Sequence, residues 1–570
     1  MKAYDHKKIE KKWQNIWEKK GIYHAQSPSP KVSTDRRKKF YSLIEFPYPS
    51  GDGLHVGHPR PYIGMDIISR KKRMEGFNVL YPIGWDAFGL PTENYAIKTG
   101  QDPRVVTKKN TDTFRRQIKS LGISFDWLRE INTTDPKYYK WTQWIFLQFL
   151  KKGLAYKTKI MINWCPKDKI GLANEEVING SCERCGAAVE QREKEQWMLA
   201  ITKYAERLDK DLDDVDYLPQ IKLGQRNWIG KSEGAEIEFA ITNYELRIKV
   251  FTTRPDTIFG AFAVILAPEH ELVQKLKSQI KNWREVEKYI KKVKKQTDID
   301  RTAEDKEKTG VELKGIKAVN PVNNEEIPIW IADFILVQYG TGAVFADMHD
   351  ERDFEFAKKY NLPMRNILEP LFIKKDGEDA VRAELPMVKR EAVVCVVKHW
   401  KEDTYLCLKW KKVSWSGFVT GGTDGGDPVE AGKREILEET GYKNAKFIKE
   451  LERKINVQFY HVLKKENRWA HFHGLYFELE NGEQKEISEE EKNIHDIHWL
   501  ARDQVEQFLS VPDMKLIWRE VHGKEEAYTD TGILVNSGQF NGLDSKTAIK
   551  EIVKFVGGKE KTTFKLRDWI

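Results

Sequence analysis

Four groups of residues carry side chains suited to chemistry. The first is His55-Val56-Gly57-His58, which opens a helical pattern just after an apolar run. Two imidazoles spaced i, i+3 share one face of a helix start, where free N–H groups and the helix dipole favour an anion such as a triphosphate. Gly57 has no side chain, which lets an adenine ring approach the backbone. Alone the string is weak, since paired histidines also occur as plain surface or core residues. The second group is Cys165, Cys182 and Cys185. Cys182-x-x-Cys185 is half of a zinc knuckle, and Cys165 offers a third thiolate. The first half reads Cys165-Pro-Lys-Asp168, so its second cysteine is absent and Asp168 could supply an oxygen. Three reduced thiols packing a small subdomain are the plain alternative. Cys395 and Cys407 fall in strand-like runs and read as core thiols.

The third group pairs Thr252-Thr253-Arg254-Pro255-Asp256-Thr257, after a strand, with His349-Asp350-Glu351-Arg352-Asp353. Each is ordinary by itself: threonines in strands, charges at a helix start. The fourth follows Gly421–Gly426, where Glu435, Glu438 and Glu439 at i, i+3 and i+4 put three carboxylates on one helical face. Such a face could chelate Mg²⁺ on a diphosphate, or simply be solvated.

Positioning these groups needs several cores. The chain has 570 residues, enough for roughly three to four domains. Apolar residues make up 40% and charged ones 32%, the balance of a soluble globular protein. Net charge is 96 − 87 = +9, which leans mildly toward a polyanion such as RNA. No apolar run approaches the ~18 residues of a membrane span, and the N-terminus is an amphipathic helical pattern rather than a signal peptide. Five cysteines in so long a chain argue for a reducing compartment, the cytoplasm.

Phe40–Phe46 reads as a strand ending at the turn Pro47–Gly51, His58–Met74 as a helix and Asn78–Tyr81 as a strand, the opening of a doubly wound α/β sheet. Helices dominate 104–153. From Arg226 strands are expected at Ala235–Ile241, Leu246–Thr253, Ala261–Ala267 and Phe334–Gln338, with a Lys-rich, solvated helical stretch over Gln274–Thr309. A linker-like stretch covers 374–386, and a separate α/β pattern runs from Ala392 to Trp518. The text near Tyr528 could continue the domain left near 373, a domain inserted within a domain.

The segment FPYPSGDGLHVGHPRPYIGMDIISRKKRMEGFNVLYPIGWDAFGLPTEN resembles class I aminoacyl-tRNA synthetases, leucyl-tRNA synthetases in particular; LGISFDWLREINTTDPKYYKWTQWIF and QRNWIGKSEGAEIEF continue the likeness. It covers everything except the insertion. The resemblance implies an α/β chain: the first half of a Rossmann-like catalytic domain, a zinc-knuckle module, a β-rich editing domain and its insertion. The implied boundaries are 1–160 (catalytic), 161–192 (knuckle), 193–225 (return), 226–375 (editing), 376–522 (insertion), 523–562 (editing, continued) and 563–570 (re-entry).

It also implies roles. His55, Gly57 and His58 would hold ATP, brought with Mg²⁺, the two histidines stabilising charge as leucine attacks the α-phosphate. Phe46 and Tyr48 would wall the leucine pocket and Asp86 bind the ammonium. Pro59 and Pro61 depart from the family pattern, in a first turn where a missing N–H costs least. In editing, Thr252 and Thr253 would position the ester or water, Thr257 would exclude leucine, and Asp353, beside Asp350, would hold the α-amino group. A leucine pocket gains only ~1–3 kcal/mol per methylene against competitors, a magnitude established on this enzyme class itself, so a second, hydrolytic site is needed. The loop Ala346-Asp347-Met348 is one residue shorter than the family's. Zinc would sit at the cysteines, and tRNA(Leu) would be the partner.

The insertion resembles a Nudix box, with a loop about two residues short and Gly426 in place of an upstream glutamate, so a Nudix-like fold is expected with hydrolysis secondary. No Lys-Met-Ser-Lys-Ser string occurs. The resemblance therefore implies that half of the ATP site lies outside this chain, in a longer protein or a second polypeptide, and that synthesis by the chain alone is incomplete. The function expected is leucine–tRNA ligation with hydrolytic editing; the alternatives are a nucleoside diphosphate hydrolase or a non-catalytic RNA-binding partner.

Overall fold

The computed structural model describes residues 4–26, 37–49, 53–172, 176–178, 180–183, 185–294, 296, 301, 306–337, 339–411, 415–462, 464–524 and 526–570. The chain forms two compact units: 1–157 with 197–200 and 569–570, and 158–196 with 201–568. No helix among the described residues is long and apolar enough to cross a membrane.

In the first unit, α1 (His6–Lys20) starts at Asp5, whose carboxylate accepts the Lys8 N–H, and stops at Gly21 in the left-handed region. Strands β1 (Lys39–Tyr41) and β2 (Asn78–Leu80) pair in parallel, Lys39 opposite Asn78, around the crossover helix α2 (Pro59–Met74). The strand–helix–strand opening is therefore present. Its first strand is shorter than the run Phe40–Phe46, and residues 50–52 of the turn lie outside the described ones. Helix α2 begins at Pro59 itself, because the N–H groups of a first turn have no intrahelical partner to lose. A second parallel pair, β3 (Gly84–Trp85) and β4 (Ile131–Asn132), encloses α3 (Leu90–Thr99) and α4 (Pro103–Ser120), and α5 (Pro136–Lys151) follows. Asp102 and Asp135 cap α4 and α5 just before a proline at N1. Tyr62, Val79, Tyr81, Trp85, Phe114 and Phe125 form the core between them.

After β5 (Ala155–Cys165), β6 (Ile170–Leu172), β7 (Val177–Ile178) and β8 (Ser181–Cys182) build a small cysteine-bearing module, and β9 (Glu190–Leu199) leads out of it. Helices α6 (Ala205–Asp211) and α7 (Pro219–Ile229) precede a seven-stranded sheet. Its strands are β10 (Lys231–Ile241), β11 (Arg247–Thr252), β12 (Ala263–Leu266), β13 (Gly310–Val319), β14 (Glu326–Ala332) and β15 (Ala343–Ala346), in the order 11-10-13-14-12-15, with β26 (Lys559–Phe564) also on β10. Between β12 and β13 lie α8 (Glu271–Lys275) and α9 (Trp283–Val293). Part of that Lys-rich stretch, 295, 297–300 and 302–305, is outside the described residues. Helix α9 is not solvated all round: Val286, Tyr289, Ile290 and Val293 pack into the core, each worth about 1.5–3 kcal/mol by burial.

The strand expected at Phe334–Gln338 is not found over its described residues, 334–337; Gln338 lies outside them. Residues 333–337 turn instead, with Phe334 and Ile335 buried. The Arg301 guanidinium donates to the carbonyls of Asp333 and Ile335 (both 2.6 Å), so these acceptors need no neighbouring strand. The strand lies earlier, at β14.

Helix α10 (Glu351–Tyr360) leads to β16 (Leu368–Ile373), the seam of a ten-stranded sheet. Its first half pairs antiparallel with β25 (Gly532–Leu534), its second half parallel with β22 (Ile455–His461). The remaining strands are β17 (Met387–Lys398), β18 (Thr404–Trp410), β19 (Ser416–Gly417), β20 (Val419–Gly422), β21 (Ala445–Glu450), β23 (Glu466–Leu479) and β24 (His495–Ala501). Helix α11 (Pro428–Thr440) covers one face of this sheet; α12 (Glu489–Ile494), α13 (Arg502–Phe508) and α14 (Pro512–Val521) follow, Trp518 of α14 packing on the other face. The stretch 374–386 is no loose tether. Lys374 N–H donates to the Gln458 carbonyl (2.9 Å), Asn467 bonds Arg382 and Leu385, and the Arg382 guanidinium stacks 3.8 Å over Tyr460. Finally α15 (Ser545–Phe555) returns to the first sheet's core.

Candidate functional site

In the first unit the two histidine rings stand 3.9 Å apart. His58 Nδ1 accepts the His55 N–H (3.2 Å), and His55 Nδ1 accepts the Gly57 N–H (3.1 Å). With both Nδ1 atoms used as acceptors, each neutral ring carries its proton on Nε2 and presents a donor. Burial, then the neighbouring His55, holds the His58 imidazole below its ordinary pKa. The pair therefore offers Nε2–H donors to an anion. A side chain at residue 57 would meet the His55 ring at 2.8 Å and displace it from its bond to the Gly57 N–H.

The three expected leucine-site residues are brought together. Phe46 packs against Gly84, where a Cβ would come within 2.5 Å of its ring. The Asp86 N–H donates to the Pro47 carbonyl (3.1 Å). The charge of the Asp86 carboxylate, with a hydrogen bond to it, raises the Tyr48 phenol pKa. Beneath them Trp85 Nε1 donates to Glu130 (2.5 Å), which Arg115 also grips through its guanidinium; sequence reasoning missed this support. A cavity of about 930 Å³ opens along Ala87–Gly89, with Arg104, Lys108 and Arg115 on its wall.

In the second unit, the threonine-rich turn after β11 meets the segment after β15. Thr252 Oγ1 accepts the Arg254 N–H (2.9 Å), while Thr253 is exposed. Arg254 forms a bidentate pair with the buried Asp256 (3.0 and 2.9 Å). Thr257 Oγ1, fully buried, lies 2.9 Å from the Arg254 carbonyl and 2.7 Å from Asp347 Oδ2. One hydroxyl proton cannot serve two acceptors. Burial raises the Asp347 pKa to about 7, and the Thr257 hydroxyl donates to Asp347 Oδ2 or to the Arg254 carbonyl. Asp347 Oδ1 accepts the His349 N–H (2.7 Å). His349, lowered to about 4 by burial, donates from Nδ1 to the Tyr528 carbonyl (3.0 Å).

Asp350 caps α10, accepting the N–H groups of Arg352 and Asp353 (2.9 and 3.3 Å). Asp353 sits in that first turn, 5% exposed, and burial with the charges of Asp350 and Asp347 pushes its carboxyl well above the ordinary range. An ammonium group docking there would restore the anion. Arg254, Asp256, Asp347, His349 and Tyr528 were not singled out from sequence. Arg254 and Asp256 stood inside the quoted threonine motif, and Asp347 in the shortened loop.

The cysteine module gathers one atom each from Cys165, Asp168, Cys182 and Cys185 within 4.8 Å of one another. Cys165 and Cys185 sulfurs are 3.4 Å apart, and Cys182 Sγ is 3.7 Å from Asp168 Oδ2. Three sulfurs and an oxygen fit a zinc ion. The Nudix-like glutamates do not gather so. Glu435 pairs with Arg434 (2.9 Å) and lies over Gly421; Glu438 is exposed; Glu439 is buried, one carboxyl oxygen unpartnered and its pKa raised by that burial. Among the described residues, the clusters with metal-ligand spacing do not include them.

Comparison with known proteins agrees with this layout. Residues 12–233 match tRNA synthetases class I (I, L, M and V), 226–395 match the leucyl-tRNA synthetase editing domain, and 387–520 match the NUDIX domain. The leucine–tRNA ligase of Alkaliphilus oremlandii (strain OhILAs) is 57% identical over 369 residues, 65% of this chain and 45% of that protein. The chain thus spans less than half the length of this curated relative. The crystal structure of Agrobacterium radiobacter K84 agnB2 LeuRS, a ternary complex with tRNA and LeuAMS, is 37% identical over 64% of this chain and 44% of its own, with a TM-score of 0.54. A methionyl-tRNA synthetase of Mycobacterium tuberculosis aligns over 31% of this chain and 35% of its own (25% identity, TM-score 0.27), too slight a likeness to bear on the fold. The chain thus carries segments that match class I tRNA synthetases and the leucyl-tRNA synthetase editing domain, with a NUDIX match set between β16 and β25.

Proposed function

We propose that this chain serves a leucine–tRNA ligase, contributing part of the site that activates leucine with ATP and the site that hydrolyses mischarged tRNA(Leu). The observation that carries the reading is Asp353: a buried carboxyl at a helix start, beside Asp347 and Thr257, in a segment matching the editing domain. There Asp353 takes the α-ammonium of the misattached residue. Thr257 and Asp347 form a rigid wall against leucine, and Thr252 and Thr253 line the approach of the ester and water. At the other site the Nε2–H donors of His55 and His58 bind phosphate oxygens of ATP, Mg²⁺ supplying charge neutralisation when bound. Asp86, steadied by Tyr48 and Phe46, takes the leucine ammonium. Zinc at Cys165, Asp168, Cys182 and Cys185 would fix the small module. The cytoplasm is the place of work.

The test is deacylation of mischarged tRNA(Leu) and leucine-dependent ATP–pyrophosphate exchange, each with the chain and with its Asp353→Ala and His58→Ala variants. Deacylation that does not respond to Asp353→Ala sinks the editing reading. A nucleoside-diphosphate hydrolase at 387–520 has less support, because Glu435 is already paired to Arg434 and Glu439 is buried.

A further inference from the structure

Strands β17 and β23 run parallel with Glu391 opposite His471, Val393 opposite His473 and Cys395 opposite Leu475. Side chains alternate along a strand. Cys395, Leu475 and Phe477 all meet Gly432 of α11, so this parity faces that helix. Glu391, His471 and His473 continue the same face beyond the end of the core. All three meet at one atom. Glu391 Oε2 lies 2.8 Å from His471 Nδ1 and 3.2 Å from His473 Nε2.

The other nitrogen of each ring is also taken, by a different carboxylate. His471 Nε2 is 3.0 Å from Glu369 Oε2 on β16, and His473 Nδ1 is 2.8 Å from Glu450 Oε1 on β21. Neutral rings that donate outward to Glu369 and Glu450 turn both remaining lone pairs onto the Glu391 oxygen. Three sets of lone pairs facing one another repel unless a cation lies between them. Outward N–H-to-carboxylate bonds are what orient imidazoles around a metal and raise their basicity. Two nitrogens and a carboxylate oxygen suit a first-row transition ion better than Mg²⁺ or Ca²⁺, which prefer oxygen alone.

We propose that Glu391, His471 and His473 bind a divalent transition metal of the zinc class, with Glu369 and Glu450 as positioning residues for the two imidazoles. Glu391 is exposed, so a coordination position stays open to solvent or to a ligand oxygen. Glu369 lies outside the segment matching the NUDIX domain, within the editing match. The ion thereby straps the inserted sheet to the strand that carries it.

Co²⁺ is the probe, added to the chelator-stripped full chain and counted after dialysis. His473→Gln is expected to lose one equivalent while the thiolate-to-cobalt charge-transfer band of the cysteine module stays unchanged. Glu391→Gln, which keeps the size and a hydrogen-bonding group, should do the same and serves if His473→Gln folds poorly by circular dichroism. Glu369→Gln should keep the site but weaken Co²⁺ binding about 10- to 100-fold. A Cys185→Ser chain should still gain thermal stability from Co²⁺, and the Cys185→Ser/His473→Gln chain should not. Equal Co²⁺ content in wild type, His473→Gln and Glu391→Gln would overturn the proposal; the cluster is then held by two protonated histidines.

Discussion

The histidine pair and the aspartate cluster, each proposed to bind a charged group, are held in opposite ways. His55 and His58 are held by backbone groups two and three residues away, and His55 is exposed. The aspartate cluster is held from far along the chain. Thr257 reaches Asp347 across 90 residues, His349 reaches Tyr528 across 179, and Arg254 reaches the Thr529 carbonyl across 275. The last two contacts close over the NUDIX segment, which is flanked by β16 before it and β25 after it, paired with each other. A locally wired site needs little beyond its own turn. A site wired over long range needs the whole sheet correctly assembled, and gains burial and rigidity in return.

Breaking the long-range wiring should therefore cost most. Arg254→Gln leaves the fully buried Asp256 without its cation, and a loss of about 3–5 kcal/mol is expected in chemical denaturation of the second unit. Thr257→Val, which removes the hydroxyl between Asp347 and the Arg254 carbonyl, should cost about 1–3 kcal/mol.

Asp347 gives a pH signature. Its folded pKa, about 7, exceeds the unfolded carboxyl's ~3.9, so the folded chain keeps a proton that the unfolded chain releases. Stability from this group is full below about pH 4 and is lost as pH rises through 7. Wild type measured against Asp347→Asn should thus lose ground between pH 5 and 8. His349, depressed to about 4, has the opposite slope between there and ~6.5, and cancels because both proteins contain it. A difference that is flat with pH would place the proton elsewhere. Glu438→Ala, at an exposed position, should change stability by less than about 0.5 kcal/mol; a larger loss would mean that the glutamate helix does more than its contacts indicate.

The same contrast explains what was legible beforehand. The β1–α2–β2 crossover, the helix starting at Pro59 and the cysteine cluster follow from periodicity, caps and spacing within a few dozen residues. Asp347 was visible only as part of a short loop, because its partners Thr257 and His349 are chosen by sheet assembly. Phe334–Gln338 has the composition of a strand, yet the Arg301 side chain takes the carbonyls of Asp333 and Ile335, and no local pattern announces that. Residues 374–386 read as a linker by composition, since Asn467 and Tyr460, which hold Arg382, lie about eighty residues downstream.

The central claim is that the two sites are wired separately, and one comparison tests it: deacylation of mischarged tRNA(Leu) by wild type, Asp353→Asn and His58→Asn under identical conditions. A fall of about 10²-fold or more is expected for Asp353→Asn, the size of losing a partner to a buried charge, and a wild-type rate for His58→Asn. Wild-type deacylation by Asp353→Asn, or an equal loss in both variants, would contradict it.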